Sequence, residues 1–130
     1  IPLWQHLVKQ GAKAIPITDE RMTRFWITIE QAVAFVLEGF ERMRGGEIFV
    51  PKIPSMRLTD LAEAIAPGVG RTHTGIREGE KIHEVMFGSE DARHTLAYDD
   101  HYMIIPEMYH HNPAIMKTYL EGRQGTAVPD

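Results

Sequence analysis

Two arginines and one carboxylate are the side chains in this sequence best suited to chemistry, and what they suit is holding an anion. Arg24 falls in the extended run Met22-Thr23-Arg24-Phe25-Trp26-Ile27, where alternation puts it on one face with Met22 and Trp26. A guanidinium among large apolar groups needs a partner, because an unpaired buried charge is very costly. That partner is either a carboxylate such as Asp19 or Glu20, or an anionic ligand. The second arginine opens the loop Arg77-Glu78-Gly79-Glu80. Its guanidinium can fork onto two phosphate oxygens, which lysine cannot do. Gly79 lets the backbone turn tightly and a ligand approach closely. Glu80 can accept hydrogen bonds from vicinal hydroxyls, as acidic residues do with ribose. Alone, such a loop is an ordinary surface turn. Two separated arginines with one diol-seeking carboxylate fit half of a site for a nucleoside diphosphate sugar.

Other chemistries find no support. No Gly-rich strand-to-helix turn for a dinucleotide and no P-loop is present. No Tyr is followed four residues later by Lys, the pair that short-chain dehydrogenases need. Of seven histidines, His83 with Glu84 starts like a zincin helix, but position 87 is Phe87. The adjacent His110 and His111 point apart in any regular element. These histidines read as surface groups or hydrogen-bonded partners. Cysteine is absent, which removes thiolate nucleophiles, disulfides and zinc–sulfur sites. A net charge of −4 argues against nucleic acid and anionic membranes, and no apolar run nears the ~18–20 residues that span a bilayer.

The elements that must position these groups follow from periodicity. With 130 residues, 43% of them hydrophobic and 25% charged, the chain predicts one globular domain. Leu3, Trp4, Leu7 and Val8 predict a helix ended by Gly11, and Ala14 to Thr18 an edge strand limited by Pro16. Thr28 and Gln31 form a capping box before a long helix over 28–44, whose wide apolar stripe predicts cover on more than one side. Ile48-Phe49-Val50 reads as an interior strand of a helix-covered sheet. Thr59-Asp60 should cap a short helix through Ile65, residues 71–76 should be extended, and Lys81 to Phe87 should make one or two helical turns. Tyr102 to Ile105 reads as the last strand, followed by a short helix over 113–121. The chain opens at Ile1 without an initiator Met or signal pattern and reads as a piece of a longer polypeptide.

Five stretches carry a family resemblance. They are Pro16 to Asp19, Met22 to Thr28, Gly46 to Ser55, Thr59 to Ala62, and Gly75 to Val85. Together they resemble the C-terminal part of inverting UDP-N-acetylglucosamine 4,6-dehydratases, CapD-like members of the extended short-chain dehydrogenase superfamily. The resemblance covers residues 1–106 and loosens afterwards. It implies an α/β fold: the last strand and helix of a Rossmann-type sheet plus a small mixed substrate-binding lobe. It implies a parent enzyme that uses NADP to take a hydride from sugar C4, lose water across C5 and C6, and return the hydride with inversion at C5. The product would be a 4-keto-6-deoxy sugar nucleotide for pseudaminic acid or capsular polysaccharide.

The family's catalytic residues and most of its NADP site lie upstream of Ile1, so the resemblance assigns this chain substrate binding. Arg24 and Arg77 match diphosphate contacts, Glu80 matches the ribose-binding acid, and Ile15, Ile17 and Thr18 lie in the segment matching the one along the uracil. Glu78 stands where the family has proline, and should point away from the phosphates. The parent is expected to be a cytoplasmic homo-oligomer. The isolated chain is expected to be inactive and prone to self-association through apolar faces meant for the missing half. Two alternatives stay open: a non-catalytic module binding a sugar nucleotide or a protein, and a sugar-nucleotide C4 epimerase of the same superfamily.

Overall fold

The computed structural model describes residues 1–123 and 125–129. Where the length predicts one domain, the backbone forms two compact units, each built from two stretches of chain. The first joins Ile1–Trp26 with Pro54–Glu84, and the second joins Ile27–Ile53 with Val85–Asp130. Each gathers an apolar core of its own.

In the first unit, helix α1 (Pro2–Lys9) starts with a proline, whose missing N–H costs nothing in a first turn. Gly11, at φ +77°, turns the chain back after it. Strand β1 (Ala14–Ile17) pairs in parallel with β5 (Gly70–His73), Ile15 standing opposite Arg71. Pro16 is tolerated because this sheet has only two strands. The Trp4 indole N–H donates to the Pro16 carbonyl at 2.8 Å and fastens α1 to β1. Ile15 and Ile17 pack with Trp4 and with Ala62 and Ala66, at the end of helix α3 (Leu58–Ile65). Each such isoleucine contributes roughly 1.5–3 kcal/mol of burial energy. Strand β2 (Thr23–Phe25) runs antiparallel to β4 (Ser55–Arg57), Arg24 opposite Met56.

Two expectations fail in this unit. Helix α3 begins at Leu58, before the Thr59-Asp60 pair, because the Leu58 N–H is taken by the Met22 carbonyl at 2.9 Å. Residues 81–87 form bends instead of helical turns, and the Ile82 carbonyl accepts from the Thr23 N–H at 3.1 Å. A tertiary hydrogen bond thus replaces the helical one.

In the second unit, α2 (Ile29–Arg42) carries the expected capping box. The Gln31 N–H donates to Thr28 Oγ1 at 3.2 Å, and the Thr28 N–H to Gln31 Oε1 at 3.0 Å. The helix stops at Arg42, two residues short of the expected end. None of its side chains is buried, and Val33, Val36, Leu37 and Phe40 are each more than half exposed. The predicted cover on several sides is therefore not supplied by this unit. Strand β3 (Ile48–Pro51) is also not interior. It pairs only with β7 (His101–Ile104), antiparallel, at the edge of a sheet ordered β3-β7-β6-β8. Strands β6 (Thr95–Ala97) and β8 (Thr126–Ala127) complete it, so β7 is not the last strand. Met103, Ile105 and Tyr119 form the core, Tyr119 coming from α6 (Pro113–Leu120). One-turn helices α4 (Ser89–Ala92) and α5 (Glu107–His110) precede it. The fold is mixed α/β with parallel and antiparallel pairings. Among the described residues no helix is long and apolar enough to cross a membrane.

Candidate functional site

The parallel strands β1 and β5 end side by side, and the loops leaving such strand ends are where α/β folds build ligand sites. Here they frame a cavity of about 370 Å³ within the first unit. Arg24, Arg77, Glu80, Ile17 and Thr18 all line it. Ile15 does not: it is fully buried in the core, on the same strand face as Ile17. Of the six residues singled out from the sequence, five meet in one place and the sixth supports it from below.

Arg77 to Glu80 form a closed turn. The Glu80 N–H donates to the Arg77 carbonyl at 3.0 Å, and Gly79 has φ +85°. No described non-glycine residue has positive φ, so this is a type II turn, which demands glycine at its third position. The Glu80 carboxylate accepts the Arg77 N–H at 2.9 Å through Oε2, which fixes the side chain relative to the arginine. Glu78, exposed at the turn's second position, is not among the cavity residues, as its charge requires.

The Arg24 guanidinium is half-buried and is held by main-chain oxygens. It donates to the Thr23 carbonyl at 2.7 Å and the Ile82 carbonyl at 3.2 Å, with Met22 Sδ 3.5 Å away. The carboxylates that might have neutralised it are engaged elsewhere. Asp19 binds Arg21 in fork geometry at 2.8 and 3.0 Å, and Glu20 lies 3.1 Å from His73. The Arg21 side chain, then its backbone N–H, hold the Asp19 carboxyl down to about 2. Carbonyl dipoles solvate a guanidinium without cancelling its charge. Arg24 therefore retains a positive charge in a cavity that Arg77 also lines, with Glu80 the one acid among its described lining residues.

The sequence reading missed Trp4, Leu58 and Thr74, which also line the cavity. Trp4 was hidden by helical periodicity, which assigns it to the core. Thr74 follows β5, and its hydroxyl donates to the Ile17 carbonyl at 3.3 Å, which ties the two loops together.

A larger cavity, about 620 Å³, lies in the second unit and is rich in arginine, but its arginines are engaged. Arg44 donates to the Thr118, Tyr119 and Glu121 carbonyls at the end of α6. Arg123 meets the buried Glu47 carboxylate at 3.1 Å, and Arg42 pairs with Glu38 and Asp100. Burial alone would raise the Glu47 pKa. The Arg44 backbone N–H and the Arg123 guanidinium outweigh that and hold it at about 2. This is a structural network. Among the described residues no group of three or more His, Asp or Glu side chains is placed to hold a metal ion. The junctions leading into α2 and α3 carry no glycine, so no backbone cradle for a pyrophosphate forms there.

Residues 1–106 match the family described as polysaccharide biosynthesis protein. The chain is 54% identical over 108 residues to an inverting UDP-N-acetylglucosamine 4,6-dehydratase of Campylobacter jejuni, covering 83% of this chain and 32% of that protein. It is 36% identical over 134 residues to a UDP-glucose 4-epimerase of Rickettsia canadensis, covering 100% of this chain and 38% of the relative. The crystal structure of Pen from Bacillus thuringiensis superposes with a TM-score of 0.73 at 27% identity, over 82% of this chain and 34% of Pen. The chain thus spans about a third of the length of the proteins it matches.

Proposed function

Because the chain belongs to the polysaccharide biosynthesis protein family, we propose that it is the substrate-binding C-terminal portion of a UDP-N-acetylglucosamine 4,6-dehydratase. In this reading Arg24 and Arg77 hold the two phosphates of the sugar nucleotide, each able to give charge-assisted hydrogen bonds. Glu80 accepts from the ribose hydroxyls with the oxygen left over from its bond to the Arg77 N–H. The β1 end, from Ile15 to Thr18, lies along the uracil, Ile15 contributing backbone and support. The chain orients the substrate and makes no bond itself. Hydride transfer, which NADP supplies when bound, and proton removal belong to the rest of a cytoplasmic, homo-oligomeric parent, so this portion alone is inactive. The product would be a 4-keto-6-deoxy sugar nucleotide of the kind used for pseudaminic acid or capsular polysaccharide.

One observation carries the reading: two arginines distant in sequence share a cavity, and among the described residues no carboxylate forms an ion pair with either. Titration of UDP-N-acetylglucosamine into the full-length protein tests it. Saturable binding that competes with UDP is expected, and failure of UDP to compete would refute it. The match of this whole chain to just over a third of a UDP-glucose 4-epimerase favours a second reading, a C4 epimerase. The product decides between them: a 4-keto-6-deoxy sugar for the first, a C4 epimer with its 6-hydroxyl kept for the second.

A further inference from the structure

The segment after the Arg77 turn folds back onto β2 and meets it by three contacts, two to Thr23 and one to Arg24. The Thr23 N–H donates to the Ile82 carbonyl at 3.1 Å, and Arg24 donates to that same carbonyl at 3.2 Å. Next along the chain, His83 Nδ1 lies 2.8 Å from Thr23 Oγ1. The Ile82 carbonyl is therefore pinned between a backbone pairing and a side-chain bond, and it orients the Arg24 guanidinium. Without His83 this carbonyl would be held only by the Thr23 N–H and by Arg24 itself, the group it orients.

We propose that His83 is a positioning residue for the anion cavity: bonded to Thr23, it clamps the Ile82 carbonyl against Arg24 and presets that guanidinium relative to the Arg77 turn. This rests on the reading of the cavity as a diphosphate site. Its logic is preorganisation. A long arginine side chain loses rotamer freedom when it binds a phosphate, and a site that fixes it beforehand loses less on binding. The histidine touches no ligand and acts only through Arg24.

The bond needs one proton between Thr23 Oγ1 and His83 Nδ1, which either the hydroxyl or the ring can supply. The first test compares nitrogen-15 shifts of His83 in the full-length protein and in its Thr23→Val variant. Loss of the partner should move the Nδ1 shift, and an unmoved Nδ1 would overturn the proposal. The second test is UDP affinity. His83→Phe and Thr23→Val should each weaken UDP roughly tenfold, about the worth of one hydrogen bond. His83→Asn and Thr23→Ser, which keep a partner at the same place, should restore most of it. KM for the sugar nucleotide should rise with kcat kept, and a fall in kcat alone would count against positioning. If Arg24→Ala weakens UDP but His83→Phe and Thr23→Val do not, the clamp is wrong and the diphosphate site stands. If Arg24→Ala and Arg77→Ala both leave UDP binding unchanged, the site and the clamp fall together.

Discussion

Arg24 and Arg77 open onto one cavity, and neither forms an ion pair with a described carboxylate. Two like charges facing the same small space repel one another, and a pyrophosphate placed between them relieves that repulsion. The Glu80 carboxylate lining the same cavity offsets part of that repulsion, and the two guanidinium groups leave the lining with a net positive charge. A salt bridge between Arg24 and Asp19 or Glu20 would have removed this bias, but those carboxylates already hold Arg21 and His73.

In the full-length protein, Arg24→Ala should weaken UDP-N-acetylglucosamine binding by on the order of 2–3 kcal/mol, the strong end for charge-assisted bonds. Calorimetric titration measures it directly. Arg77→Ala should do the same, and the double variant should lose less than the sum because both groups act on one pyrophosphate. Affinity unchanged in both single variants would remove these arginines from the site.

Glu78 occupies the second position of a type II turn, where proline is favoured. Glu78→Pro should stabilise the turn by roughly 0.5 kcal/mol through the unfolded chain. Because Glu78 lies outside the cavity, UDP binding should stay unchanged. Thermal melting and UDP titration of the variant check both parts, and weaker UDP binding would show that Glu78 contributes to the site.

The Glu47–Arg123 pair gives the second unit an acid-labile clasp. The carboxyl is held at about 2 in the folded chain against an ordinary 4.5. A depressed carboxylate pKa stabilises the fold above the unfolded value, and that contribution is lost as pH falls through the folded value. Stability measured by urea unfolding should therefore be flat in this respect above pH 4.5 and fall between 4.5 and about 2. Glu47→Gln should cost on the order of 3 kcal/mol at neutral pH by leaving Arg123 without its buried partner, and it should flatten that acid slope.

The exposed stripe on α2, together with the edge strand β3, predicts that the 130-residue chain alone self-associates. Sedimentation velocity should show species larger than a monomer. Val33→Glu with Phe40→Glu, both at exposed positions, should reduce them without loss of helix signal. A monodisperse, cooperatively melting monomer of the unaltered chain would contradict the proposal that these faces belong against the rest of a larger enzyme.

What the residues determined by themselves is local. The Thr28–Gln31 box, the glycine turn at Gly79 and the extended segment from Ala14 depend on neighbours within a few positions, and these appear as the sequence predicts. The family motifs also singled out Arg24, Arg77 and Glu80, although a motif does not say what a side chain will touch. Tertiary structure decided the rest. It chose main-chain oxygens over Asp19 as the partners of Arg24, replaced the helix expected at 81–87 with a strap to β2, and put β3 at a sheet edge. The physical reason is the same each time. A hydrogen-bonding group or an apolar face pairs with whatever the fold brings within reach, and for these groups the partners lie tens of residues away.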